Sequence, residues 1–221
     1  MAFLQLQPYV SYGLVGERPI FLDLKRDRYL ALDPASEDAL RRLRAGEEPT
    51  LPDGPALERL LRTGLFRQSS LRGRLAPVHA PAPARSLVGD RPSGRPRWSS
   101  PFRAWAAVSR ARRRLRSVPL AGIVDALVER RRAGRPEGEP ALAEESARAF
   151  LAARPLVPVE RSCLLDSLAL LDWLGHRSGH AKLVFGVRLD PFGAHCWLQT
   201  ERTILTDAAD TVGNFAPVLA V

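Results

Sequence analysis

At 221 residues the chain has room for one large domain or two small ones, and a 45% hydrophobic content supports a packed core and argues against wholesale disorder. No run of about 18 apolar residues occurs, so no membrane-spanning helix is expected. The opening MAFLQLQPYV lacks a secretion-signal pattern, and two cysteines are too few for a disulfide framework, so free thiols in a cytoplasmic protein are the expectation. The net charge of +9 is concentrated in residues 71–135, with sixteen basic and three acidic groups; residues 1–70 balance, and 136–221 are net acidic. Of the 33 basic residues all but Lys25 and Lys182 are arginine, which compositional bias explains as readily as phosphate recognition. Nucleic acid is therefore not the expected partner, and the basic segment reads as a solvated linker and helix face.

The first part of the chain opens with strand patterns. Val10, Tyr12 and Leu14 alternate with Ser11 and Gly13, and Ile20, Leu22 and Leu24 alternate with Phe21, Asp23 and Lys25. Leu30 and Leu32 flank Ala31, and Lys25-Arg26-Asp27-Arg28 supplies the turn before them. Asp33 then caps a helix with Pro34 at its first position, where a missing N–H costs nothing; Gly46 is the expected stop. A second helix is expected from about Pro55 to Thr63, with Leu57, Leu60 and Leu61 as its apolar stripe and Gly64 ending it before Leu65 and Phe66. Three strands followed by helices give a small domain over 1–72 with one sheet edge left open.

Residues 73–99 are rich in Pro, Gly, Ser and Arg without an apolar period, the composition of an extended linker. The second part, 100–221, begins with helices: one starting with Phe102, Trp105 and Val108, one after Pro119 with Leu120, Ile123, Val124, Leu127 and Val128 on one face, and one over 140–153. Ser162 can then cap a helix that begins at Cys163 and runs to Leu174 before Gly175. A thiol at a helix N-terminus meets unpaired N–H groups that favour thiolate, although a cysteine before an apolar helix is also an ordinary core residue.

Two strands and a short third follow, over 182–189, 194–200 and 202–207. A three-residue turn at Thr200-Glu201-Arg202 sets Gln199 opposite Thr203, and the same register sets His195 opposite Asp207. Cys196 then points to the other face and reads as packing. A nucleophile at a helix N-terminus, a histidine on a strand and an aspartate on the next strand make a Cys163–His195–Asp207 triad. The plainer reading is three unconnected residues, which the shared face of His195 and Asp207 disfavours.

Both parts resemble known families. Leu22-Asp23-Leu24, Tyr29 to Asp33 and Leu60-Leu61-Arg62-Thr63-Gly64-Leu65 resemble the PqqD-like recognition element of peptide-modifying enzymes, a winged-helix-like fold. The resemblance implies that a leader peptide adds a strand to the edge by β-augmentation, with Arg28, Tyr29, Leu30, Ala31, Leu32, Leu57 and Leu61 forming the groove. Cys163, Ser167 to Leu170, Leu183 to Val187, Phe192 to Leu198 and Leu205-Thr206-Asp207 resemble the transglutaminase-like leader peptidases of lasso-peptide biosynthesis. Together they resemble the fused B proteins of microcin J25-type clusters.

The expected fold is α+β: a three-stranded, winged-helix-like N-terminal domain and a transglutaminase/papain-like C-terminal domain. The resemblance implies a cysteine leader peptidase acting on a lasso-peptide precursor, with a Thr at the penultimate leader position, delivering a free amine to an ATP-dependent macrolactam cyclase. The alternatives are a transglutaminase-like scaffold without catalysis and a basic winged-helix protein that binds nucleic acid. No cofactor is expected. His176 and His180 are four residues apart and could suggest zinc with Cys196, but the flanking glycines put them in a loop and no metal site is expected. The run Arg110, Arg112, Arg113, Arg114 and Arg116 reads as a solvated helix face.

Overall fold

The computed structural model describes residues 3–45, 54–70, 75–89, 100–133 and 140–221. They form two compact units, residues 1–79 with 216–219 and residues 80–215 with 220–221.

The first unit runs β1 (Phe3–Leu6), β2 (Val10–Val15), β3 (Arg18–Asp23), β4 (Arg28–Ala31), α1 (Pro34–Ala45), α2 (Gly54–Arg62) and β5 (Phe66–Ser69). The three expected strands form an antiparallel sheet in the order β2-β3-β4, and β1 pairs with β5 in a separate two-stranded sheet. That second sheet was not expected. Neither FLQL nor FRQS alternates cleanly, and each is half-buried or exposed over most of its length. Val15 pairs with Arg18 across a two-residue turn in which Gly16 has φ 62°, a conformation that favours glycine. The β3–β4 turn is held by the fully buried Asp23, whose Oδ1 accepts from the N–H groups of Lys25 (3.0 Å) and Arg26 (3.2 Å).

Asp33 caps α1 as expected, its carboxylate accepting from the Ser36 N–H at 3.2 Å and the Ser36 hydroxyl at 2.6 Å. Gly46, the expected stop, lies outside the described residues. Gly64, at φ 73°, follows α2 as anticipated. The core is Tyr12, Phe21, Leu32, Leu40, Leu60, Leu65 and Phe66, with Leu30, Leu57 and Leu61 packed against it. Four of the seven expected groove residues thus belong to this cluster, while Arg28 and Ala31 are exposed and Tyr29 is half-buried. The bond from Leu24 N–H to Tyr9 C=O fixes which β3 residues face β2. By alternation Phe21 and Asp23 face β4 and exchange bonds with Leu30 and Arg28, so the N–H and C=O of Ala31 point to the outer edge.

The expected linker needs correction. Residues 75–79 belong to the first unit, where the Tyr12 hydroxyl donates to Leu75 C=O (2.6 Å) and the Val78 N–H to Tyr12 C=O (2.7 Å). Residues 80–89 belong to the second unit, where β6 (Arg85–Ser86) joins the main sheet and Leu87 is 3% exposed. Proline-rich composition conceals this because so short a strand carries no periodicity. Residues 71–74 and 90–99 lie outside the described residues.

The second unit continues with α3 (Ser100–Ser117), α4 (Leu120–Ala133), α5 (Pro140–Ala153), α6 (Cys163–Leu174), β7 (Lys182–Arg188), β8 (Gly193–Gln199), β9 (Thr203–Ile204), α7 (Ala209–Gly213) and β10 (Ala216–Ala220). The sheet order is β10-β7-β8-β9-β6, with β6 parallel to β9 and the β7-β8-β9 pairs antiparallel. The apolar α6 packs on β8 and between α3 and α5. Helix α3 begins near Phe102 as expected and turns Ala104, Ala107, Val108 and Ala111 inward, while Phe102 and Trp105 are 72% and 53% exposed. Small residues there let α3 lie close to α6. Of the basic run, Arg110 pairs with Asp172 (2.7 Å), and Arg112, Arg113 and Arg116 are exposed. No described helix is long and apolar enough to cross a membrane.

One buried arginine organises the approach to α6. Arg154 is 1% exposed; its Nε donates to Asp166 Oδ1 (2.7 Å), its Nη1 to Val157 C=O (3.4 Å), and its Nη2 to Val159 C=O (3.0 Å) and Glu160 C=O (3.3 Å). It thereby ties the backbone of 157–160 to the first turn of α6. Arg154→Met leaves a buried carboxylate and the Val159 and Glu160 carbonyls short of a donor, with Arg161 still on Asp166 (2.9 Å) and the Val159 N–H still on Val157 C=O (2.8 Å). Removing one partner of such a network costs about 3 kcal/mol, and urea unfolding should show the loss as a lower midpoint with an unchanged slope.

Candidate active site

Ser162 is extended (φ −143°, ψ 150°) and caps α6, its hydroxyl accepting from the Leu165 N–H at 3.4 Å. Cys163 is therefore the first residue of the helix, as the sequence implied, and is partly exposed. Cys196 and His195 both act on its thiol and draw its pKa down to about 4. On the far side of the ring, His195 Nε2 lies 2.8 Å from Asp207 Oδ2, which leaves Nδ1 for the sulfur. His195 thus touches Asp207 and is electrostatically linked to Cys163, each of the two favouring the charged form of the other.

The route to that contact differs from the expected one. Gln199 pairs with Ile204, not Thr203, so the register is shifted by one and His195 does not face Asp207 across a ladder. The strand ends first. Thr200 and Thr203 close a two-residue turn, and the Leu205 N–H donates to Leu198 C=O, but the Leu198 N–H donates to the Thr206 hydroxyl (2.9 Å) instead of a backbone carbonyl. The chain leaves the ladder at Thr206, and that departure carries the Asp207 carboxylate to the ring. The Ser86 hydroxyl on β6 donates to the backbone carbonyl of Asp207 and pins it after the strand has ended. Sequence reading missed Ser86, whose only signal was the Ser86-Leu87-Val88 run inside a proline-rich segment.

The expectation for Cys196 is also corrected. Its side chain is 2% exposed, as a packing residue would be, but it is coupled to the Cys163 thiol, and Ser167 of α6 also acts on it. Alternation along β8 was right; the missing element was the helix packed on that other face.

His195 is held between aromatic rings, with Trp197 at 6.2 Å and 22° and Phe215 at 5.2 Å and 37°. Gly186, directly opposite His195 on β7, makes this possible, because a Cβ there would come within 2.7 Å of Trp197 and 2.9 Å of Phe215. The fully buried Trp197 donates from Nε1 to Gln199 Oε1 (2.7 Å), and Gln199 donates in turn to Pro81 C=O (2.9 Å).

The residues 105–220 match the family model of the transglutaminase-like superfamily. The chain belongs to that superfamily. No curated protein and no solved structure matches it. The match spans most of α3, the helices and strands from α4 to β10, and Cys163, His195 and Asp207, in a transglutaminase-like domain whose superfamily includes cysteine peptidases. His176 and His180 sit in a short 3₁₀ segment, Gly175–His180, and among the described residues no group of three or more His, Cys, Asp or Glu could hold a metal ion.

The electrostatics suit an ion pair. Hydrogen bonds from the Cys196 thiol and from His195 hold the Cys163 thiol down at about 4, against the opposing effect of burial. The bonds to Asp207 and then Cys163 hold His195 up at about 9. Thiolate and imidazolium therefore coexist between these values. Because the thiolate forms as pH rises through about 4, iodoacetamide should label Cys163 at a nearly constant rate from about pH 5 to 8. Loss of the imidazolium in His195→Ala should move the rise toward higher pH, and labelling rate against pH measures both curves.

Proposed function

We propose that the protein is a cysteine leader peptidase that binds the leader of a ribosomally made lasso-peptide precursor and cuts after it. The observation that supports this best is the His195–Asp207 pair, together with a Cys163 thiol at the head of a helix within a transglutaminase-like domain. The Cys163 thiolate attacks the scissile carbonyl, and the Cys163 N–H, at a helix position with no internal partner, faces the developing oxyanion. His195 protonates the leaving amine, giving a thioester on Cys163 and a core peptide with a free N-terminus. It then takes a proton from water, which hydrolyses the thioester. Asp207 orients the ring through Nε2 throughout. The freed amine is what an ATP-dependent macrolactam cyclase consumes. No step needs a cofactor.

In this reading residues 1–79 hold the leader as a strand added to β4, with Leu30, Leu32, Leu57 and Leu61 as the apolar floor and Arg28, Tyr29 and Ala31 along the edge. Support comes from the outward direction of the Ala31 N–H and C=O and from the exposure of that residue. Ala31→Pro deletes an edge N–H without touching the core. Leader affinity by fluorescence anisotropy should fall about tenfold, the worth of one hydrogen bond, while Cys163 stays reactive to iodoacetamide. Unchanged affinity in the folded variant would mean that the leader binds elsewhere.

A further inference from the structure

Both members of the His195–Asp207 pair are tied to one short stretch of chain, residues 80–89, which precedes the superfamily region at 105–220. The tie to Asp207 is Ser86. The chain has left the ladder at Thr206, so the ladder no longer fixes the backbone of Asp207, and the Ser86 hydroxyl donates to its carbonyl. The Val88 N–H donates to the same hydroxyl oxygen at 2.9 Å, which leaves the hydroxyl proton for Asp207. The tie to His195 is Pro81. Its carbonyl accepts from Gln199 Nε2 (2.9 Å), Gln199 Oε1 accepts from Trp197 Nε1 (2.7 Å), and the Trp197 ring lies 6.2 Å from that of His195. We propose that residues 80–89 are a positioning strap for the pair, and that Ser86 is the positioning residue through which the strap holds the Asp207 carboxylate at the ring. The consequence for cleavage rests on the peptidase reading; the effect on the pair does not.

The strap is fixed by bonds that do not involve the pair. β6 runs parallel to β9 with Ser86 beside Ile204, and the Leu87 N–H donates to Ile204 C=O (2.9 Å). Leu87 is 3% exposed, so burial anchors the residue after Ser86. Arg85 reaches Glu144 (3.3 Å), which also accepts from the Thr203 hydroxyl on β9 (2.7 Å). Ser86 thus stands on a fixed backbone, and a single χ angle carries its hydroxyl to Asp207. The choice of acceptor matters. A donor on the carboxylate would compete with His195 for its charge, whereas a donor on the backbone carbonyl fixes where the side chain starts and leaves Oδ2 to Nε2 at 2.8 Å. Such a charge-assisted bond is strong but directional, and it weakens steeply once its angle falls below about 120°. The bond to Asp207 is also the largest of the influences that raise His195; Cys163 is the other charge acting on the ring, and Arg188 lies over the neighbouring Phe215 (5.5 Å). A carboxylate released from Ser86 therefore changes how tightly the ring holds its proton.

The test reads the ring, not peptide cleavage, so it stands apart from the proposed activity. Full-length protein labelled with ¹³C at histidine Cε1 carries four labelled rings, and His195→Ala identifies the signal of His195. Titration followed by NMR should give that signal a midpoint at about 9 in wild type. Ser86→Thr and Ser86→Val introduce side chains of the same shape, both suited to a strand, that differ only in the hydroxyl. Ser86→Thr should titrate with wild type. Ser86→Val should titrate about one pH unit lower, a tenfold loss of proton affinity at the ring. A role for Ser86 in stability alone would leave the midpoint of the folded protein where it is. Combined with Asp207→Asn, which removes the charge that the strap positions, Ser86→Thr and Ser86→Val should titrate alike. A Ser86→Val protein that titrates with wild type, or one whose fall persists alongside Asp207→Asn, would overturn the proposal. A midpoint that depends on the Ser86 hydroxyl in a protein that cuts no precursor would leave the strap standing and refute the peptidase instead.

Discussion

Cys163→Ala should lose precursor cleavage by on the order of 10⁴-fold or more while binding the leader as tightly as wild type. Nothing else in the site can replace the sulfur. Cys196 is buried and protonated, and Ser162 spends its hydroxyl on the cap of α6. Without the nucleophile only binding and oxyanion contacts remain, and these give a small residue of the whole rate. The leader, by contrast, is assigned to β4 and α2, in a separate compact unit. Cleavage is measured by liquid chromatography of the products and affinity by anisotropy. A parallel loss of binding would refute the division of labour between the two units.

His195→Ala should be as inactive as Cys163→Ala, because the thiolate, the proton for the leaving amine and the activated water all depend on one ring. Asp207→Asn should cost less, about 10²-fold. An asparagine oxygen still accepts from Nε2–H and keeps the ring oriented, but the charge that raises His195 is lost. The basic limb of the pH–rate profile should therefore move down, since the imidazolium then loses its proton at a lower pH. The acidic limb, set by formation of the Cys163 thiolate as pH rises, should move less. Rates of precursor cleavage across pH 4–10 give both limbs. Equal inactivity of Asp207→Asn and His195→Ala would mean that the carboxylate does more than orient.

The three strands and two helices of the first unit were legible because each carries a period and a punctuating residue, such as Asp33 before α1 or Gly64 after α2. Pairing β1 with β5 depends on bringing Phe3 beside Ser69, and no local pattern encodes so distant a contact. In the second unit the helix boundaries at Cys163 and Leu174 were readable from Ser162 and Gly175. The His195–Asp207 pair was named for a reason that does not hold: the ladder register differs by one, and a strand break at Thr206 makes the contact instead. Side chains that bond the backbone, as those of Thr206, Ser86 and Arg154 do here, decide where a chain leaves its regular path. Their sequence signal is a single polar residue among many. Cys196 shows the same limit from another side, since alternation gives its face and only packing gives its neighbour.

The most direct measurement is the mass of the products when the full chain is incubated with the precursor peptide encoded beside it. Two new species should appear, a leader ending in a free carboxylate and a core peptide with a free N-terminal amine, their masses summing to precursor plus one water, and neither should form with Cys163→Ala. An intact precursor, in a mixture where anisotropy shows the leader bound and iodoacetamide shows Cys163 reactive, would contradict the assignment of this protein as the peptidase.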